Sequence, residues 1–206
     1  ANAYLNKVSI ISRYAAAISG EEQPEMVGIY SDDGSTVYAN DSTITSHSGY
    51  DSYGLYALDS SVYLQDTQVE TVSDFDKDDN QTCAGIYTKG LLATLTLRNT
   101  ATQVDCHPPS SYNYTVLGIA AEDTGLIQLF DSSVSVTDGM MGKLTGISMM
   151  GNSTMLTLTN VKVDVYGQNA YNYGIFSSTT PFVIRDSSIY THGSPSWGQG
   201  TIGIKV

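Results

Sequence analysis

The densest chemistry in this chain is an acidic run, Asp74-Phe75-Asp76-Lys77-Asp78-Asp79-Asn80, with oxygen-bearing side chains at every second position. Asp74, Asp76 and Asp78 match the opening spacing of a calcium loop, in which carboxylate oxygens surround a hard cation. The central Gly of such a loop is missing, and its twelfth position is Gly85 where a Glu would close the shell. A solvated acidic loop is therefore preferred over a Ca2+ site, and no other cofactor is expected. Asp32-Asp33 is a second acidic pair and reads as turn chemistry.

Two carboxylates can also hydrolyse a glycosidic bond. Polygalacturonase-type hydrolases add His and Arg-Lys groups to such a pair, and pectate lyases add an Arg base to acidic Ca2+ ligands. Here His192-Gly193 stands alone, Ile204-Lys205 has no Arg before it, and Arg13, Arg98 and Arg185 are dispersed. Arg98 and Arg185 share one position, just before an Asn or Asp, and read as surface residues. No Gly-x-Ser-x-Gly nucleophile elbow occurs. The expectation is a chain with no catalytic residues.

The aromatic residues carry more. Tyr30, Tyr56, Tyr87 and Phe176 each close a Gly-aliphatic-aromatic triplet. If the aliphatic residue faces inward on a strand, the aromatic one faces out. That predicts a column of exposed rings suited to protein or sugar contact, since a tyrosine offers a flat apolar face and a polar tip. Ring stacking that only stabilises the fold is the competing account. Tyr50, Tyr53, Tyr112, Tyr114, Tyr171 and Tyr173 precede Gly-aliphatic pairs and read as loop residues. Cys83 and Cys106 are the two cysteines. Their spacing fits a single disulfide in an oxidising compartment, against two buried free thiols.

The rest of the composition narrows the setting. Hydrophobic residues make up 41% and charged ones 15% of the 206 residues, enough for a core. The net charge of −12, with no Lys or Arg cluster, argues against nucleic acid and anionic membranes as partners. No run of 18 apolar residues occurs, so no helical membrane span is expected. No signal peptide is recognisable, so a secreted protein of this sequence would be a mature or excised piece. Sequons stand at Asn40, Asn80, Asn113 and Asn152.

These residues are positioned by a repeat. Gly28-Ile29, Gly54-Leu55, Gly85-Ile86, Gly118-Ile119, Gly146-Ile147, Gly174-Ile175 and Gly203-Ile204 follow one another at intervals of 26, 31, 33, 28, 28 and 29 residues. An Asn or Asp follows each of the first six by 12 to 14 residues: Asp41, Asp66, Asn99, Asp131, Asn160 and Asp186. Short alternating segments such as Leu95-Thr96-Leu97 run into these acids and amides, and others such as Val134-Ser135-Val136 leave them. A unit of three short strands with a period near 28 is one rung of a parallel β-solenoid. The expected fold is all-β: a single-stranded, right-handed parallel β-helix of about seven coils, one domain over residues 1–206. The aliphatic residue of each pair would stack on its neighbours one rung away. The Gly would supply φ > 0 at the entry to a strand, and the Asn or Asp a left-handed corner. Neither end shows a cap, which suggests part of a longer solenoid or a subunit that stacks end to end.

The segments Gly28-Ile29-Tyr30-Ser31 to Asp41-Ser42-Thr43-Ile44, and Gly146-Ile147 through Leu156-Thr157-Leu158-Thr159-Asn160, resemble the passenger regions of Gram-negative autotransporter adhesins of the pertactin-like and self-associating types. The resemblance covers the whole chain and lies in repeat grammar. It implies display on the bacterial cell surface and non-catalytic adhesion. The partners implied are a host-surface protein or glycan, or another copy of the chain. A secreted polysaccharide lyase or hydrolase fragment, and an end-stacking filament subunit, are the alternatives.

Overall fold

A computed structural model describes residues 1–13, 26–48, 51–74, 81–107, 114–138, 143–168, 171–194 and 201–205. It has 21 strands. The first seven are β1 (Asn2–Asn6), β2 (Ser9–Arg13), β3 (Met26–Ser31), β4 (Thr36–Asn40), β5 (Thr43–Ser48), β6 (Ser52–Leu58) and β7 (Ser61–Gln65). The next seven are β8 (Gln68–Ser73), β9 (Thr82–Lys89), β10 (Thr94–Arg98), β11 (Ala101–Cys106), β12 (Thr115–Glu122), β13 (Leu126–Phe130) and β14 (Ser133–Asp138). The last are β15 (Lys143–Met150), β16 (Met155–Thr159), β17 (Lys162–Gln168), β18 (Tyr171–Ser177), β19 (Phe182–Arg185), β20 (Ser188–Ser194) and β21 (Thr201–Lys205).

Every third strand pairs in parallel, giving three seven-stranded sheets headed by β1, β2 and β3. The chain is a parallel β-solenoid. Alternation makes it so: in β10 and β13, Leu95, Leu97, Ile127 and Leu129 face inward and are fully buried, while the residues between them face out. Register then lines like upon like. Leu55, Ile86, Ile119, Ile147 and Ile175 form one continuous column in the third sheet. Val69, Thr102, Val134 and Val163 form another in the second. Each buried Ile or Leu contributes roughly 1.5–3 kcal/mol. In the first sheet five of seven strands, β4 to β16, bury their inward side chains. At the rod's two ends Leu5, Ile29, Phe182, Ile184 and Ile189 are only partly buried. The closed interior thus spans about five turns, fewer than the seven Gly-aliphatic pairs suggest.

The corner between the first and second sheets is a two-residue turn with one left-handed residue per rung. Lys7, Asp41, Asp66, Asn99, Asp131, Asn160 and Asp186 all have φ between 46° and 55°. A hydroxyl follows at most rungs and closes the turn. The Ser132 hydroxyl donates to the Phe130 carbonyl at 2.7 Å and accepts the Thr100 N–H of the rung before at 3.2 Å. Ser42 does the same for the Asn40 carbonyl and the Val8 N–H. Asp33, Asp59 and Asp123 take φ near 50° at the corner between the third and first sheets, so Asp33 is a turn residue as its sequence context suggests.

The repeated glycines correct the expected reason for them. Among the described glycines, positive φ is confined to Gly34, Gly90 and Gly151, none of which belongs to a Gly-aliphatic pair. The paired glycines lie inside third-sheet strands, and from Gly28 to Gly174 they face second-sheet side chains such as Ile44, Val69 and Val163. A Cβ on Gly118 would stand 2.3 Å from Val134 Cγ1 and 2.5 Å from the Gly146 carbonyl oxygen. Gly28, Gly54, Gly85, Gly118, Gly146 and Gly174 are glycines because the interior is too narrow there, which is a packing demand and not a torsional one; Gly203, in the last strand, has open space around it.

Candidate functional site

Tyr30, Tyr56 and Tyr87 are register neighbours on the outer side of the third sheet. Their rings stack, with centroids 5.6 Å and 5.0 Å apart. Tyr30 is 56% exposed, but Tyr56 and Tyr87 are half-buried because Tyr53 packs edge-on against both, at 5.3 Å and 5.7 Å. Tyr53 and Tyr173, read from sequence as loop residues, lie within β6 and β18 and are buried. Tyr171 is also a strand residue and is exposed, while Tyr50 and Tyr112 lie outside the described residues. The outward column thins to Ala120 and Ser148 and resumes at Phe176. There Lys143 and Lys205 lie over the ring at 4.9 Å and 5.8 Å.

The lower end of the tyrosine column is held by charge. The Tyr87 hydroxyl donates to Glu122 Oε2 at 2.5 Å, and Lys89 Nζ donates to Oε1 at 3.0 Å. Burial, then the Glu122 hydrogen bond, pushes the Tyr87 hydroxyl well above the ordinary phenol range, so it stays a donor. The Tyr87 and Lys89 donors hold the Glu122 carboxyl below its usual range. A depressed carboxylate stabilises the fold above the unfolded pKa, about 4.3, and that contribution is lost as pH falls through the folded value. Glu122→Gln is therefore expected to flatten the loss of stability below about pH 5. Chemical denaturation at several pH values would check this, and parallel acid limbs in the two proteins would refute it. The site is partly exposed, so the contribution is under about 1 kcal/mol.

The acidic run is only partly described. Asp74 Oδ2 accepts a hydrogen bond from His47 Nε2 at 3.0 Å, whereas Asp76 and Asp78 lie outside the described residues. Among the described residues no group of three metal-ligating side chains converges. Cys83 and Cys106 are joined by a disulfide, both fully buried, linking β9 to β11 across the interior. Nearby, the buried Tyr114 hydroxyl donates to Asp138 at 2.7 Å, a polar pair that neither spacing nor composition announces. Burial, reinforced by that carboxylate, raises the Tyr114 hydroxyl above the phenol range.

A second ring column escaped the sequence reading. Tyr4, Tyr38 and Tyr63 stack on the outer side of the first sheet, with centroids 5.0 Å apart and planes within 10°. Their exposures are 72%, 39% and 38%. Each stands three residues before a left-handed corner residue, Lys7, Asp41 or Asp66, and aligning the rungs on that corner would have exposed the column. Beside it run Asn6, Asn40, Gln65 and Arg98. Arg98 is not merely a surface residue, since its guanidinium lies 4.4 Å over the Phe130 ring.

No protein-family model, no curated protein and no solved structure matches this chain. The arrangement offers flat rings, amides and a few fixed charges along the outer faces of the solenoid.

Proposed function

We propose that this chain is an adhesin-like β-helix, displayed outside the cell, that binds a host-surface protein or glycan, or another copy of itself, without catalysis. The observation that carries this reading is the stacked Tyr30-Tyr56-Tyr87 column on an outward face. Exposed tyrosines give large contact area at low cost in side-chain entropy. The buried disulfide favours an oxidising, extracytoplasmic setting. The resemblance of its repeat grammar to that of autotransporter passengers supports surface display and adhesion in particular.

Beads coated with the protein are expected to bind epithelial cells or clump with one another. Tyr30→Ala, at the most exposed ring of the column, is expected to reduce that binding at least threefold, about 0.7 kcal/mol, with an unchanged melting temperature. Equal binding by parent and variant would remove the column from the adhesive surface, and inert parent beads would reject the adhesin reading itself.

A further inference from the structure

The first-sheet strip is separate from the column on which the adhesin reading rests, and its residues favour one chemistry. A depression of about 330 Å3 is lined by Tyr4, Tyr38, Tyr63, Gln65, Thr96 and Arg98, with neighbouring strand residues. No Asp or Glu lines it, in a chain of net charge −12. Its one charge is Arg98, held in place by Phe130 and without a carboxylate partner among the described residues. Asp66, the residue after Gln65, already accepts from Asn99 Nδ2 at 2.6 Å and from Gln65 Nε2 at 3.1 Å. Those two amides, Asn99 first, hold its carboxyl below the usual range.

The ring column ends at a step. Below Tyr63 the register partner is Thr96, a small side chain, so the ring face of Tyr63 turned from Tyr38 overlooks open space. Arg98 and Gln65 stand beside that step, two residues along their strands. The hydroxyls of Tyr4, Tyr38 and Tyr63 have no hydrogen-bond partner among the described residues. Rungs repeat about every 4.8 Å, close to the length of one pyranose unit in an extended chain. Sugar rings pack their C–H faces on aromatic rings, hydroxyls meet amides, and a guanidinium takes a carboxylate in a bidentate fork.

We propose that this strip binds a glycan whose terminal sugar carries a carboxylate, followed by neutral sugars. The acidic sugar sits over Thr96 against Tyr63, with its carboxylate on Arg98. The neutral sugars continue along the outer edges of Tyr38 and Tyr4, whose mutual stacking covers the faces between them, with Asn40 and Asn6 alongside. A single cation at one end of an otherwise uncharged strip matches one terminal carboxylate better than a polyanion, which the acidic remainder of the rod would repel.

The test is a titration with 3′-sialyllactose and with lactose, followed by saturation-transfer NMR, on protein made in a bacterium so that the Asn40 sequon carries no sugar. The acidic trisaccharide is expected to bind at least tenfold tighter than lactose. Arg98→Gln is expected to bring the two ligands within about twofold of each other. Tyr63→Ala is expected to weaken both at least fivefold, and Tyr166→Ala, an exposed ring of the second sheet, to change neither. Arg98 is exposed, so its variant tests the proposal even if Tyr63→Ala disturbs the stack. Equal affinity of the parent for both ligands overturns the carboxylate assignment. Silence toward both, or affinities unmoved by either strip variant, overturns the site. The bead assay with Tyr30→Ala reads a different face, so the two ideas fail separately.

Discussion

Gly118→Ala is expected to destabilise the protein by about 3 kcal/mol, and Gly203→Ala by less than about 0.5 kcal/mol. The two glycines occupy the same place in the repeat and neither has positive φ, so the backbone tolerates alanine at both. Space decides the difference. The new methyl at 118 would meet the Gly146 carbonyl oxygen at 2.5 Å and two valine methyls, Val134 at 2.3 Å and Val136 at 3.0 Å. A carbonyl fixed in a parallel ladder cannot rotate aside without breaking hydrogen bonds to the next rung, so the strain spreads to β15. A Cβ on Gly203 has nothing within 4 Å, and the stiffer unfolded chain even favours the variant slightly. Urea denaturation of both proteins checks this. Equal midpoints would mean that the interior gives way more easily than its geometry implies.

The same glycines show how the sequence could be read correctly in outline and wrongly in cause. Seven Gly-aliphatic pairs are legible because a solenoid imposes the same environment on every rung, so register repeats in the chain. The left-handed corner is legible because few residue types tolerate φ near 50°, and six of the seven positions are Asp or Asn. The seventh, Lys7, breaks the pattern, and with it the alignment that reveals Tyr4, Tyr38 and Tyr63. A glycine, by contrast, has two explanations that no single sequence separates: a torsion only it can adopt, or a space only it can fill. The outward tyrosines carry a similar ambiguity. Alternation tells that Tyr56 and Tyr87 leave the core, but not that Tyr53 packs edge-on against both. The interior wedge between the second and third sheets was invisible for a further reason. Its Ser46-Ser52 hydrogen bond at 2.9 Å, and the Tyr114-Asp138 pair, put polar residues at positions that the repeat marks as inward.

That wedge is where the disulfide acts, and its removal has the second large effect. Cys83→Ala combined with Cys106→Ala is expected to cost about 3 kcal/mol, the chain-entropy value for a loop of 23 residues. In register with Cys83 stand Ser52 and Val116, and in register with Cys106 stand Ser73 and Asp138. Most of these neighbours are polar, so this part of the interior gains less from apolar burial than the Leu95-Ile127 side does. A covalent link between β9 and β11 supplies cohesion at that place by limiting the unfolded chain. In a solenoid each rung rests mainly on its neighbours, so weakening a middle rung lets the rod open from within. Hydrogen exchange should therefore quicken first in β9, β11 and the strands flanking them, and only later in β16 or β17. Both sulfurs are fully buried, so reductant alone should act slowly on the native protein and quickly once denaturant opens it. Unchanged denaturation midpoints in the double variant, with uniform exchange along the rod, would show that the bridge adds nothing the hydrogen-bonded ladder lacks.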